Sequence, residues 1–169
     1  MIYNSDMRRL KLWEWITCLA VVGFVGAVLF PVYACACKRA TPATACLSNV
    51  KQLATALIIY TSDYDDRLPN RDRWMDAISH ITKNPRVFID PEIKTEEQYG
   101  YAFDSHLSNR NVNSFKKPEQ HSMLYDSINL ARNASDPFNS LPNPGRHKGK
   151  NSIAYLDGHA KRIAWPELK

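Results

Sequence analysis

Hydrophobic residues in this chain form one unbroken block followed by a series of short patterns. From Trp15 to Cys37 the stretch WITCLAVVGFVGAVLFPVYACAC runs 23 residues without a formal charge, between Glu14 and Lys38-Arg39. A helix rises about 1.5 Å per residue, so this block reaches across a hydrocarbon layer roughly 30 Å thick. The pattern predicts a membrane helix. Beyond it, in TPATACLSNVKQLATALIIYTSD, the residues Leu47, Val50, Leu53, Ala54, Leu57 and Ile58 recur at three- and four-residue steps. Ser48, Asn49, Lys51, Gln52 and Thr55 occupy the other side, which predicts a helix with one face on a core. Thr41 suits an N-cap and Pro42 a first helical position. Proline can bend a membrane helix without ending it. The two patterns therefore read as one long, bent helix from about residue 10 to about residue 62, ended by Asp63-Tyr-Asp-Asp66 and the extended exit at Leu68-Pro69.

The remainder alternates short segments with turn residues. RWMDAISHIT predicts a brief helix with Trp74, Ala77, Ile78 and Ile81 on one side. PRVFIDP is a bounded apolar run, QYGYAF alternates aromatic residues, and SMLYDS and NSIAYL read as strands. ARNASDPFNSLPNPGR has three prolines and no period, so it reads as a surface loop. NSIAYL-DG-HAKRIAW has the pattern of a hairpin with a two-residue type I′ turn at Asp157-Gly158. It would set Ile153 and Tyr155 on one side and Ala154 and Leu156 on the other. The expected fold class is α+β: a long N-terminal, transmembrane α-helix packed on a small antiparallel β-sheet. Its parts are a cytoplasmic N-terminal segment 1–14, a transmembrane stretch 15–37, and an exported domain 38–169 that includes the second half of the helix.

Length and charge sharpen this picture. Of 169 residues, about 130 follow the apolar block, enough for one core. The net charge of +5 is spread through mixed acids and bases, the mark of a solvated surface rather than a nucleic-acid footprint. Arg8, Arg9 and Lys11 before the block favour a cytoplasmic N-terminus and an exported C-terminal domain. The same order of basic, apolar and small residues also fits a cleavable signal ending at Ala34-Cys35-Ala36; either way the domain lies outside. On a continuous helix Cys35 and Cys46 stand about 16 Å apart, beyond disulfide reach, which leaves the exported domain without a disulfide framework. Cys35-Ala-Cys37 reads as small apolar packing.

Candidate chemistry gathers near the C-terminus. Asp157 and His159, with His147 or Asp126, are of types that ligate cations, but no close His pair supports a site, and a hairpin holds residues 147 and 157 at opposite ends of a strand. The favoured role of His147 is to anchor its loop through its ring nitrogens. A nucleophilic set of Cys46, His147 and Asp157 is disfavoured by the place of Cys46 in an apolar stripe near the membrane exit. With no glycine-rich phosphate loop or paired catalytic acids, the reading is non-enzymatic and without a cofactor.

CLSNVKQLATALIIYTSDYDDRLP, together with His147, nine residues and then Asp157-Gly158, resembles the bacterial prepilin-like proteins that carry a processing-associated H-x9-DG motif. LFPVYA (29–34), QYGYAF (98–103), FKKPEQHSMLYD (115–126) and RHKGKNSIAYLDGHAKR (146–162) extend the resemblance over almost the whole chain. It implies a type IV pilin-like or pseudopilin-like subunit in the bacterial inner membrane. Its partners would be lipid and sister subunits met through the N-terminal helix, in a filament or a type II secretion-like apparatus. Glu14, 17 residues before Pro31, holds the position of the assembly glutamate of such helices, where a buried carboxylate requires a partner such as a neighbour's N-terminal amine. His147, Asp157 and Gly158 would fix the terminal hairpin. The chain departs from the family at Arg9-Leu10, where a small residue precedes a phenylalanine-like one. It departs again at Phe88-Ile89-Asp90-Pro91, where F-x-C-P would supply a cysteine to pair with Cys46. The alternative is a binding module outside the cytoplasm, anchored without polymerising or released by signal cleavage.

Overall fold

The computed structural model describes residues 12–36, 41–95 and 97–164. They belong to two units divided between Arg39 and Ala40.

The first unit holds helix α1, Leu12–Ala36, which runs unbroken into Pro31 and beyond it. The stretch Trp13–Phe30 is long and apolar enough to cross a membrane, and none of it is buried. The Arg9-Leu10 junction and Cys37 lie outside the described residues, as does the side chain of Cys35.

The second unit opens with helix α2, Pro42–Asp63. The expected continuous helix from 10 to 62 is therefore two helices. Thr41 is extended, with ψ 152°, and its hydroxyl accepts from the Thr44 N–H at 3.3 Å. Proline at 42 pushes the residue before it out of the helical region, and the Thr41 cap rewards that turn-out. The break also removes the premise of a fixed Cys35–Cys46 spacing; Cys46 is a free, fully buried thiol. The buried stripe of α2 runs through Cys46, Val50, Leu53, Ala54, Leu57 and Thr61.

This stripe lies on a five-stranded sheet, with helix α3 (Trp74–Thr82) and a 3-10 turn at Pro85–Phe88 completing the layer. The strands are β1 Tyr101–Asp104, β2 Ser122–Asp126, β3 Ser135–Asp136, β4 Lys150–Tyr155 and β5 Ala160–Ala164, in the order β3-β1-β2-β4-β5. The sheet is mixed, because β3 pairs with β1 in parallel while the other pairs are antiparallel. β3 arises within the segment expected to be a surface loop. Ala134 and Leu141 there are buried, and the Tyr125 hydroxyl donates to Asp136 Oδ1 at 2.6 Å. A two-residue strand has no period to reveal it. Tyr101, Phe103, Leu124, Ala154 and Leu156 face the helices, and Ala102, Tyr125, Ile153, Tyr155 and Ile163 form a second cluster on the opposite face. The alternation expected in β4 is observed.

The type I′ turn falls elsewhere than expected. At the end of β4 the Gly158 N–H donates to the Tyr155 carbonyl at 2.9 Å and the Tyr155 N–H to the His159 carbonyl at 2.9 Å. Gly158 has φ +85°, whereas Asp157 does not enter the positive-φ region. This is a three-residue loop with glycine at the left-handed position. The two-residue turn with both central φ positive lies at Lys148-Gly149, φ 56° and 79°. It is closed by bonds in both directions between the backbones of His147 and Lys150. It sets His147 at the head of β4.

Candidate functional site

Four segments meet where α2 crosses the end of the sheet. α2 contributes Cys46 from its buried stripe, and the turn after the 3-10 helix contributes Asp90. β2 ends on Asp126, and the Lys148-Gly149 turn presents His147. All four residues are fully buried. The Cys46 thiol lies 3.1 Å from Asp126 Oδ1, 3.7 Å from Asp90 Oδ2 and 3.3 Å from the Ser152 hydroxyl. His147 Nε2 lies 3.1 Å from Asp90 Oδ2 and 3.8 Å from Asp126 Oδ2.

A surrounding layer orients these groups. The Ser152 N–H donates to Asp126 Oδ2 at 2.7 Å, and the Glu92 N–H donates to Asp90 Oδ1 at 2.9 Å. Arg146 donates to Asp90 Oδ2 at 2.9 Å and to the Ser127 and Gly100 carbonyls at 2.6 and 3.3 Å, which pins the loop beside β1 and β2. The Tyr101 hydroxyl lies 3.6 Å from Cys46 Sγ. His147 Nδ1 stands 3.2 Å from Glu92 Oε1, close enough for an ion pair but off line for a hydrogen bond.

Burial and neighbours pull the titrations apart. Burial pushes the Asp126 carboxyl up to about 6, against the lowering pull of the Ser152 N–H and the Cys46 thiol. Burial acts on Asp90 in the same sense but is outweighed by His147, the Glu92 N–H and Arg146, which hold this carboxyl below its ordinary value. Burial would lower His147, yet Asp90, Asp126 and Glu92 raise it. Burial, then Asp126 and Asp90, push the Cys46 thiol up, so it stays protonated at neutral pH and is no activated nucleophile.

His147 thus meets Asp126, Asp90 and Cys46, while Asp157 and His159 lie at the far end of β4. Of the two ring nitrogens of His147, Nε2 lies within hydrogen-bond distance of Asp90 Oδ2, and Asp126 Oδ2 stands further off at 3.8 Å. Asp157 serves the turn: its Oδ1 accepts from the His159 N–H at 3.0 Å. A Cβ at Gly158 would stand 2.6 Å from Ile58 Cδ1, so the bare turn lets α2 pass close by. Glu14 sits in the first turn of α1, where its carbonyl accepts from the Thr17 hydroxyl at 2.9 Å. Asp90 is the member of the cluster that periodicity left without a role; its one signal was its place opposite Cys46 in the family pattern. The ligand atoms of Cys46, Asp90, Asp126 and His147 lie within 4.8 Å of one another, a set able to hold a metal ion. Searches against family models, curated proteins and solved structures found no match to this chain.

Proposed function

We propose that the protein is a membrane-anchored, pilin-like or pseudopilin-like subunit, non-enzymatic, that carries its α+β unit outside the bacterial inner membrane. The observation that carries this reading is the uncovered apolar surface of α1. Trp13, Leu19, Val22 and Phe24 are each more than half exposed, and such a surface requires lipid or sister helices against it. Support comes also from α2 lying across β2, β4 and β5, and from Asp90 standing beside Cys46, where the resemblance implies a cysteine pair. The test is fractionation of the native protein with its intact mass. The expected chain resists alkaline extraction, leaves membranes with detergent and is digested by protease added outside the inner membrane. Its presence in sheared surface fractions supports a filament; retention wholly in the membrane supports an anchored module. A freely soluble monomer of full mass in the cytosol overturns the reading.

A further inference from the structure

We propose that Cys46, Asp90, Asp126 and His147 form a site for one divalent transition ion of the zinc class. The inference is independent of the membrane reading. Tetrahedral bonds of about 2.0–2.3 Å place ligand atoms about 3.3–3.7 Å apart. The contacts in the cluster straddle that range: 3.1 Å and 3.7 Å from Cys46 Sγ to the two carboxylates, 3.1 Å and 3.8 Å from His147 Nε2 to the same pair. The two Asp126 contacts use different oxygens, and with one donor atom taken from each residue all four lie within 4.8 Å of one another, so the set is somewhat open and draws in as the ion enters. Their chemistry selects the ion, because a thiolate and an imidazole favour zinc-class metals over calcium or magnesium.

The surroundings are those of a ligand set. Glu92 Oε1 stands 3.2 Å from the outer nitrogen of His147 without a hydrogen bond, while Nε2 faces the carboxylates and the thiol. The Glu92 N–H holds Asp90 by Oδ1 and the Ser152 N–H holds Asp126 by Oδ2, while Arg146 shares Asp90 Oδ2 with the cluster and would yield part of that contact to the ion. Two carboxylates turned toward one buried thiol are costly to desolvate, and a central cation offsets that cost. On binding, the Cys46 thiol proton leaves to solvent, and His147 ligates as a neutral imidazole with Nε2 bare and its proton on Nδ1, so a proton is also released wherever the ring was an imidazolium beforehand. Asp90 also borders a surface pocket of about 540 Å³ with Asn49, Arg86, Ile89 and Lys94, which offers a path of entry.

The test uses the full chain in detergent, stripped with chelator and titrated with Co²⁺. The expected result is saturation at about one ion per chain, with the intense visible bands of tetrahedral cobalt and a thiolate-to-cobalt charge-transfer band, both abolished by Zn²⁺. Zn²⁺ at about 100 times its dissociation constant should raise the thermal midpoint by roughly 10 °C. Cys46→Ser keeps a hydroxyl for Asp126 and should lose the charge-transfer band and the zinc-dependent shift. Asp126→Asn, near-isosteric, should lose the shift as well and stands in should the serine variant not fold. No saturable uptake overturns the site, and so does a charge-transfer band that survives in Cys46→Ser, which would assign the metal to the remaining cysteines.

Discussion

Asp126 is a carboxyl whose buried environment opposes its charge. Its folded carboxyl titrates near 6, whereas the unfolded one titrates at about 3.9. Between these values the unfolded chain is ionised while the folded one still holds its proton. This group's contribution to stability therefore falls as the pH rises from about 4 and is fully lost above 6, a change of about 3 kcal/mol. In chelator-treated protein, unfolding curves from pH 4 to 7 should show the wild type losing about that much relative to Asp126→Asn. Parallel curves would show that the carboxyl is not perturbed. At this scale the sequence was only partly legible. His147 stood out by its motif, and Asp126 and Cys46 each entered a separate reading, but nothing local joined them to Asp90. Residues separated by 44 and 80 positions meet only once the sheet and α2 are in place.

Among the elements, the terminal hairpin gives a direct test of how α2 and the sheet fit. Gly158→Ala places a side chain at φ +85°, a left-handed position that costs about 1–2 kcal/mol, and sets its Cβ against Ile58 Cδ1. In an Ile58→Ala background the steric part vanishes while the backbone part remains. The glycine substitution should therefore cost roughly 0.5–1 kcal/mol less there, read from a double-mutant denaturation cycle. Equal costs in both backgrounds would mean that the turn does not press on the helix. Periodicity revealed α2 and α3 because each buries one face, whereas β2 and β4, buried on both faces, and β5 were legible as short runs bounded by turn residues. It missed the parallel pairing of β3, and it placed the two-residue turn at Asp157-Gly158 instead of Lys148-Gly149. Both patterns contain a suitable glycine, and only the strand register decides between them. α3 shows the same limit: its Met75 N–H is capped by Asn133 Oδ1 at 2.8 Å, a partner 58 residues away that no N-cap pattern foretells.

Across the whole molecule, the apolar block was the plainest feature of the chain, and α1 holds it as far as Ala36. Val22 is exposed near the middle of that helix. Val22→Arg should cost about 3 kcal/mol of insertion free energy at a bilayer centre and shift the protein from the alkali-resistant membrane fraction to the soluble or aggregated one. Unchanged retention would show that α1 is not what holds the protein in place. The Thr41-Pro42 pair was visible as a helix start, yet proline's tolerance in membrane helices suggested continuity. The extended backbone of Thr41 is the local preference winning.

The buried cluster has a consequence for how the chain is made. Cys46 and Ser152 touch across 106 positions of sequence, so the loop they close is nearly the whole second unit, and its closure entropy is paid only at the end. A polypeptide terminated before Ser152 leaves the acids of residues 90 and 126 without their shelter. Incomplete copies should therefore stay open and be cleared by proteases, while finished ones close around their last two strands.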